Sequence, residues 1–101
     1  MNHIEEFDSI KLEIQTVKFD TDKVLLEKIR EMIRYLKRFS SNRILYATVF
    51  LEDKQGKLSE QKSVKVLLGV AGPDIVASER GDDFGNLLNN VREKLIVQLK
   101  K

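Results

Sequence analysis

Lys23, Arg30, Arg34 and Lys37 are the residues whose type and spacing first suggest a chemistry. At about 100° per residue on a helix they fall within roughly 60° of one another. They flank an apolar side made of Leu25, Ile29, Met32, Ile33, Leu36 and Phe39. Like charges this close repel by some tenths of a kcal/mol per pair, and guanidinium groups suit bidentate bonds to phosphate. Such a strip is a candidate site for a polyanion. Asp22, Glu27 and Glu31 lie near enough to neutralise part of it, so a solvated helix face is the competing reading.

Other chemistries find few residues to use. The chain has no cysteine, which excludes disulfides, thiol catalysis and cysteine-held zinc or iron–sulfur sites. His3 is the sole histidine, so zinc would need an unusual all-carboxylate set. Asp82 and Asp83 are adjacent acids at a helix start, where capping is their ordinary role. Ser40, Ser41, Ser63 and Ser78 have no histidine placed to activate them. Gly69-Val70-Ala71-Gly72 has the spacing of an RNA-clamping KH loop, but it ends a strand instead of joining two helices. Tyr46 and Phe50 on one strand suggest stacking aromatics, yet the RRM sequence signature is missing. No catalytic residue, metal ligand or cofactor is expected.

The elements that position the stripe follow from hydrophobic period. Residues 1–9 read as a flexible lead-in, and 10–101 as a single domain. Ile10, Leu12 and Ile14 alternate with Lys11, Glu13 and Gln15, the period of a half-buried strand. Asp20, Thr21 and Asp22 offer capping oxygens ahead of a helix over 22–39, which runs out at Ser40-Ser41-Asn42. Residues 44–51 form the strongest strand, with Leu45, Ala47, Val49 and Leu51 on one face and Ile44, Tyr46, Thr48 and Phe50 on the other. A polar hairpin loop over 53–61 leads to a strand over 63–70, with Val64, Val66 and Leu68 on one face. Gly72-Pro73-Asp74 is a turn, and 75–78 a fourth strand. Gly81-Asp82-Asp83 opens a last helix with Phe84, Leu87, Leu88, Val91, Leu95 and Leu99 as its apolar stripe. The expected fold is α+β in the order β-α-β-β-β-α, a four-stranded mixed sheet with both helices on one face. The first crossover should be right-handed. Ile29, Ile33, Leu36, Val49, Val66, Val91 and Leu95 should share one core.

Bulk properties set the outer limits. A chain of 101 residues, 42% hydrophobic and 34% charged, suits one core at most two layers thick. A net charge of +2 means that attraction to a polyanion must come from local clustering. No apolar run approaches a membrane span, and the acidic start is unlike a secretory signal, so a cytoplasmic protein is expected.

Several linked stretches together resemble a known family. They are Gln15-Thr16-Val17-Lys18-Phe19-Asp20-Thr21-Asp22, then Leu36-Lys37-Arg38-Phe39, then Ile75-Val76-Ala77-Ser78-Glu79-Arg80-Gly81-Asp82-Asp83-Phe84. Lys94-Leu95 and Gln98-Leu99-Lys100-Lys101 complete the set. In order and spacing they are similar to the bacterial ribosome hibernation promoting factors and ribosome-associated translation inhibitors, also called sigma-54 modulation or S30EA-like proteins. Tyr35 stands where many members have lysine, and Asn89 and Asn90 replace a common acid–small pair. The resemblance implies a non-enzymatic factor bound to ribosomal RNA of the small subunit, holding ribosomes idle under stress; the oligomeric state is left open, with a monomer favoured. It implies contacts from Lys23, Lys28, Arg30, Arg34, Lys37, Arg38, Arg92, Lys94, Lys100 and Lys101. No membrane and no small-molecule substrate is expected. As a short-type member, the chain is not expected to link two ribosomes itself. Two readings compete with this one: a protein-interaction module or homodimer using the sheet face with Tyr46, Phe50 and Leu67, and a general double-stranded RNA binder.

Overall fold

Alternation in Ile10–Val17 buries Ile10, Leu12, Ile14 and Thr16 and turns Lys11, Glu13, Gln15 and Val17 the other way. This is strand β2, and the same logic builds β3 (Tyr46–Asp53) and β4 (Lys62–Gly69) beside it. The computed structural model describes residues 2–17, 19–40, 44–54 and 61–100. Strand β1 (Asn2–Phe7) precedes β2, helix α1 (Lys23–Ser40) joins β2 to β3, and β5 (Ile75–Gly81) leads into helix α2 (Phe84–Leu99). The five strands lie in chain order across one sheet. Strands β2 and β3 are parallel, as a helical crossover requires, and every other pair is antiparallel.

Both helices begin on a capping carboxylate. Asp22 Oδ1 accepts the Leu25 amide at 2.8 Å, and Asp83 Oδ2 accepts the Asn86 amide at 2.9 Å. From α1, Ile29, Met32, Ile33 and Leu36 are buried; from α2, Leu87, Leu88, Val91, Leu95 and Ile96. They meet Leu12, Ile14, Val49, Val66 and Leu68 in one cluster on a single face of the sheet. All seven expected core residues have 0% exposure. Phe19 and Phe84 stack with ring centroids 5.2 Å apart, joining the approach to α1 to the start of α2.

Three expectations are corrected. The sheet has five strands instead of four, because Asn2–Phe7, within the stretch read as a lead-in, pairs with β2 from Asn2↔Gln15 to Phe7↔Ile10. The connecting turn places Asp8 and Ser9 at φ of 51° and 65°, the backbone of a tight two-residue hairpin. Leu45 does not join the buried face: it is 61% exposed while Ile44 is 4% exposed. The ladder begins only at Tyr46, so the alternation cannot be extended back through those two residues. Ile96 belongs to the buried side of α2, which is wider than the stripe read from sequence. Val97 is 59% exposed. Most of the expected loop over 53–61, and the Ser41-Asn42 turn, lie outside the described residues.

Candidate functional site

The basic stripe of α1 faces β1. Alternation along β1 directs His3, Glu5 and Phe7 to the helix side of the sheet and Asn2, Ile4 and Glu6 to the other. Both Glu5 carboxylate oxygens accept from Arg30: Nε donates at 2.9 Å and Nη2 at 2.6 Å. Arg30 Nη1 donates to Glu27 Oε1 at 2.5 Å. The Arg34 guanidinium lies over the Phe7 ring, 5.1 Å from its centroid, with Nε 3.7 Å from Asp8 Oδ2. Lys37 Nζ donates to the Asp8 carbonyl at 2.6 Å. The hydrogen bond from Arg30 holds the Glu5 carboxyl at about 2; partial burial works against that shift and His3 adds to it. The same pairing raises Arg30 further above its ordinary range.

The opposite flank of α1 meets α2 and carries a different kind of cationic surface. An open cleft of about 380 Å³ runs between the helices, with Met32 and Leu88 beneath it. Lys28, Glu31 and Tyr35 line it from α1, and Asp83, Asn86, Asn89 and Arg92 from the α2 side. The Arg92 guanidinium sits over the Tyr35 ring, 4.7 Å from its centroid, and Nε donates to Glu93 at 3.1 Å. Tyr35 packs against Phe39 at 5.2 Å, and Lys100 Nζ lies 5.5 Å from the Phe39 centroid. An aromatic pair thus supports a cation at each end. A cation held over a ring keeps most of its N–H donors, since the attraction is to the π face. Lys28 Nζ reaches over Gly85, where an added Cβ would come within 2.9 Å of it.

The ten basic candidates therefore separate. Arg30, Arg34 and Lys37 are engaged by β1 and its turn. Lys94 is drawn to the other sheet edge, where Nζ donates to Glu79 at 2.6 Å and to the Ser78 carbonyl at 3.2 Å. Beside it, Gln98 donates to the Val76 carbonyl at 3.0 Å, so two α2 side chains cover β5 backbone. Arg92 and Lys100 lie on the aromatic seam. Lys23, Lys28 and Arg38 are exposed. Lys101 lies outside the described residues. The seam was missed at the level of sequence because Tyr35 and Phe39 read as ordinary helix residues until α2 is laid beside them.

On the open sheet face, Tyr46 lies flat across Gly69, where any Cβ would fall about 2.0 Å from the ring. Its hydroxyl donates to Asp74 at 3.1–3.2 Å, which raises the phenol's pKa. Lys65 Nζ lies 5.8 Å from the Phe50 centroid. Lys11, Glu13, Lys65 and Arg80 stand among the apolar side chains of this face and break them up. Among the described residues no group of three or more potential ligands could hold a metal ion. No helix there is long and apolar enough to cross a membrane.

A family model described as sigma 54 modulation protein / S30EA ribosomal protein matches residues 12–101. The chain belongs to that family. The resemblance read from the linked stretches is thereby established, and with it membership of a ribosome-associated group of modulation factors. Among solved structures, the chain is similar to the Protein Y N-terminal domain of Thermus thermophilus, with a TM-score of 0.73 at 14% identity. That likeness covers 91% of this chain and 96% of the other. It is also similar to a ribosomal subunit interface protein from Coxiella burnetii, with a TM-score of 0.70 at 21% identity over 87% and 91% of the two chains. At these identities the likeness establishes the S30EA-type fold. No curated protein sequence matches the chain. Strand β1 and the turn after it, with Glu5, Phe7 and Asp8, precede the region that the family model matches.

Proposed function

We propose that this S30EA-family protein binds the small ribosomal subunit through cations of its helix layer and inhibits translation by occupying it. The observation that carries the reading is the α1–α2 seam. There Arg92 and Lys100 rest on Tyr35 and Phe39 with donors to spare, and Lys28 stands exposed beside them. Lys23 and Arg38 add charge on the exposed side of α1. A rigid helix pair presenting cations at fixed spacing suits a folded RNA backbone, where phosphates position the protein and shape supplies selectivity. The small net charge means that naked duplex RNA should bind far more weakly than the subunit. The protein acts in the cytoplasm, as a monomer and without catalysis.

The test is sedimentation of purified protein with small ribosomal subunits through sucrose, paired with a cell-free translation reaction. Wild type should co-sediment and inhibit, and Lys28→Gln/Arg92→Gln/Lys100→Gln should do neither while keeping its melting temperature. With about five phosphate contacts, a fourfold rise in salt should weaken binding by roughly two orders of magnitude. Affinity that stays flat with salt would point to a protein partner instead.

A further inference from the structure

We infer that β1 is a built-in acidic cover for the outer flank of α1, withdrawing Arg30 from the RNA-binding surface, tying Lys37 to its turn, and leaving the α1–α2 seam to meet the polyanion. This rests on the proposed function and specifies which face of the helix layer performs it. Three contacts carry it. Glu5 grips Arg30 with both oxygens at 2.9 and 2.6 Å, the two-pronged geometry a phosphate would use, and Glu27 fills Nη1 of the same guanidinium. Asp8 receives Lys37 through its backbone carbonyl at 2.6 Å. Phe7 covers one face of the Arg34 guanidinium, which stays half exposed and keeps its donors. The stretch from Asn2 to Ser9 contains Glu5, Glu6 and Asp8 and no lysine or arginine.

The cover is anchored. Six residue pairs join β1 to β2, and the turn at Asp8 and Ser9 sets the height at which the Asp8 carbonyl meets Lys37. Side-chain exposures of 18% for Glu5 and 27% for Arg30 set this ion pair apart from Arg34 with Asp8, at 39% and 54% for the acid and the base. Exposed pairs contribute little; the less exposed bidentate pair is the one that removes a cation from competition. Because β1 lies ahead of the residues that the family model matches, the cover is an addition to the family's matched region.

Two double variants of equal net charge change test this. Glu5→Gln/Arg30→Gln deletes the covered cation with its partner, and Arg92→Gln/Glu93→Gln deletes a seam cation with its partner. Binding to small subunits is measured against salt, and each protein is also eluted from heparin as a generic polyanion. Glu5→Gln/Arg30→Gln should bind within twofold of wild type with the same salt slope. Arg92→Gln/Glu93→Gln should lose about fivefold at moderate salt, with the slope reduced by roughly 0.7–0.9. Glu5→Gln alone should release Arg30 from its bidentate partner, bind more tightly and steepen the slope by up to about one. It should also elute later from heparin than Glu6→Gln, which removes the same charge from the opposite face. Equal losses in the two double variants would overturn the inference, and so would a Glu5→Gln slope identical to wild type. If Glu5→Gln proves too unstable to assay, the double-variant comparison still decides. If wild type ignores subunits altogether, the ribosomal reading fails, and the heparin order alone upholds or overturns the cover.

Discussion

The two flanks of α1 carry similar residues and meet opposite neighbours. On one side Arg30, Arg34 and Lys37 face an acidic strand: Arg30 is bonded to Glu5 and Glu27, Lys37 donates to the Asp8 carbonyl, and Arg34 lies over Phe7. On the other, Lys28 and the aromatic residues Tyr35 and Phe39 face α2, whose Arg92 and Lys100 come to rest on the rings. A cation paired with a carboxylate has exchanged hydration for an internal partner. One lying over an aromatic ring is positioned and keeps donors for a further partner, as Arg92 does beyond its bond to Glu93. Basic spacing on a helix therefore does not locate a polyanion site until the neighbour on each flank is known.

The largest expected effect removes the floor under both flanks. Leu95 is fully buried, and Leu95→Ala should cost roughly 2–5 kcal/mol in a urea melt. A loss under about half a kcal/mol would mean that α2 is not packed against the sheet as described.

Next comes a change confined to the covered flank. Arg30→Glu sets a carboxylate against Glu5 and Glu27, so β1 should loosen while the remaining sheet holds. Hydrogen exchange should quicken at β1 amides and stay slow in β3 and β4. Uniform protection throughout would mean that the ladder alone holds β1 and the charge contacts are incidental.

The Glu5 carboxyl supplies a pH dependence. Held at about 2 instead of 4.5, it favours the folded state fully above about pH 4.5 and loses that contribution as pH falls toward 2. Arg30 and His3 are the groups that hold it there, and Glu27 shares Arg30. Urea midpoints of wild type and Glu5→Gln should thus differ at neutral pH and converge on acidification. A gap independent of pH would contradict the pairing.

Tyr46→Phe should matter least. It removes an exposed hydroxyl bond to Asp74 on the open sheet face, so melting temperature and subunit binding should match wild type. A clear loss of subunit affinity would move the interface to the sheet.

What the residues reveal unaided follows the same division. The apolar sides of α1 and α2, the capping acids Asp22 and Asp83, and the alternation of β2, β3 and β4 are local patterns answering to one apolar core. Strand β1 is hidden because its inward residue Glu5 faces an arginine and its outward residue Ile4 is 58% exposed, which inverts the usual pattern. Its turn, Asp8-Ser9, also lacks the glycine that usually marks so tight a hairpin. The basic stripe was visible as charge, but its partner lies on an element that hydrophobic period does not register. The seam needs two helices at once: Tyr35 gains meaning only when Arg92 is laid over it.

The difference between the flanks can be read directly from lysine reactivity. Wild-type protein, free and bound to small ribosomal subunits, is treated briefly with an acetylating reagent, and the extent of modification at each lysine is measured by mass spectrometry. Lys28 and Lys100 should be protected severalfold by the subunit, while Lys37, already bonded to the Asp8 carbonyl, should react equally in both states. Protection of Lys37 matching that of Lys28 would contradict the division, and would make the covered flank part of the ribosomal contact.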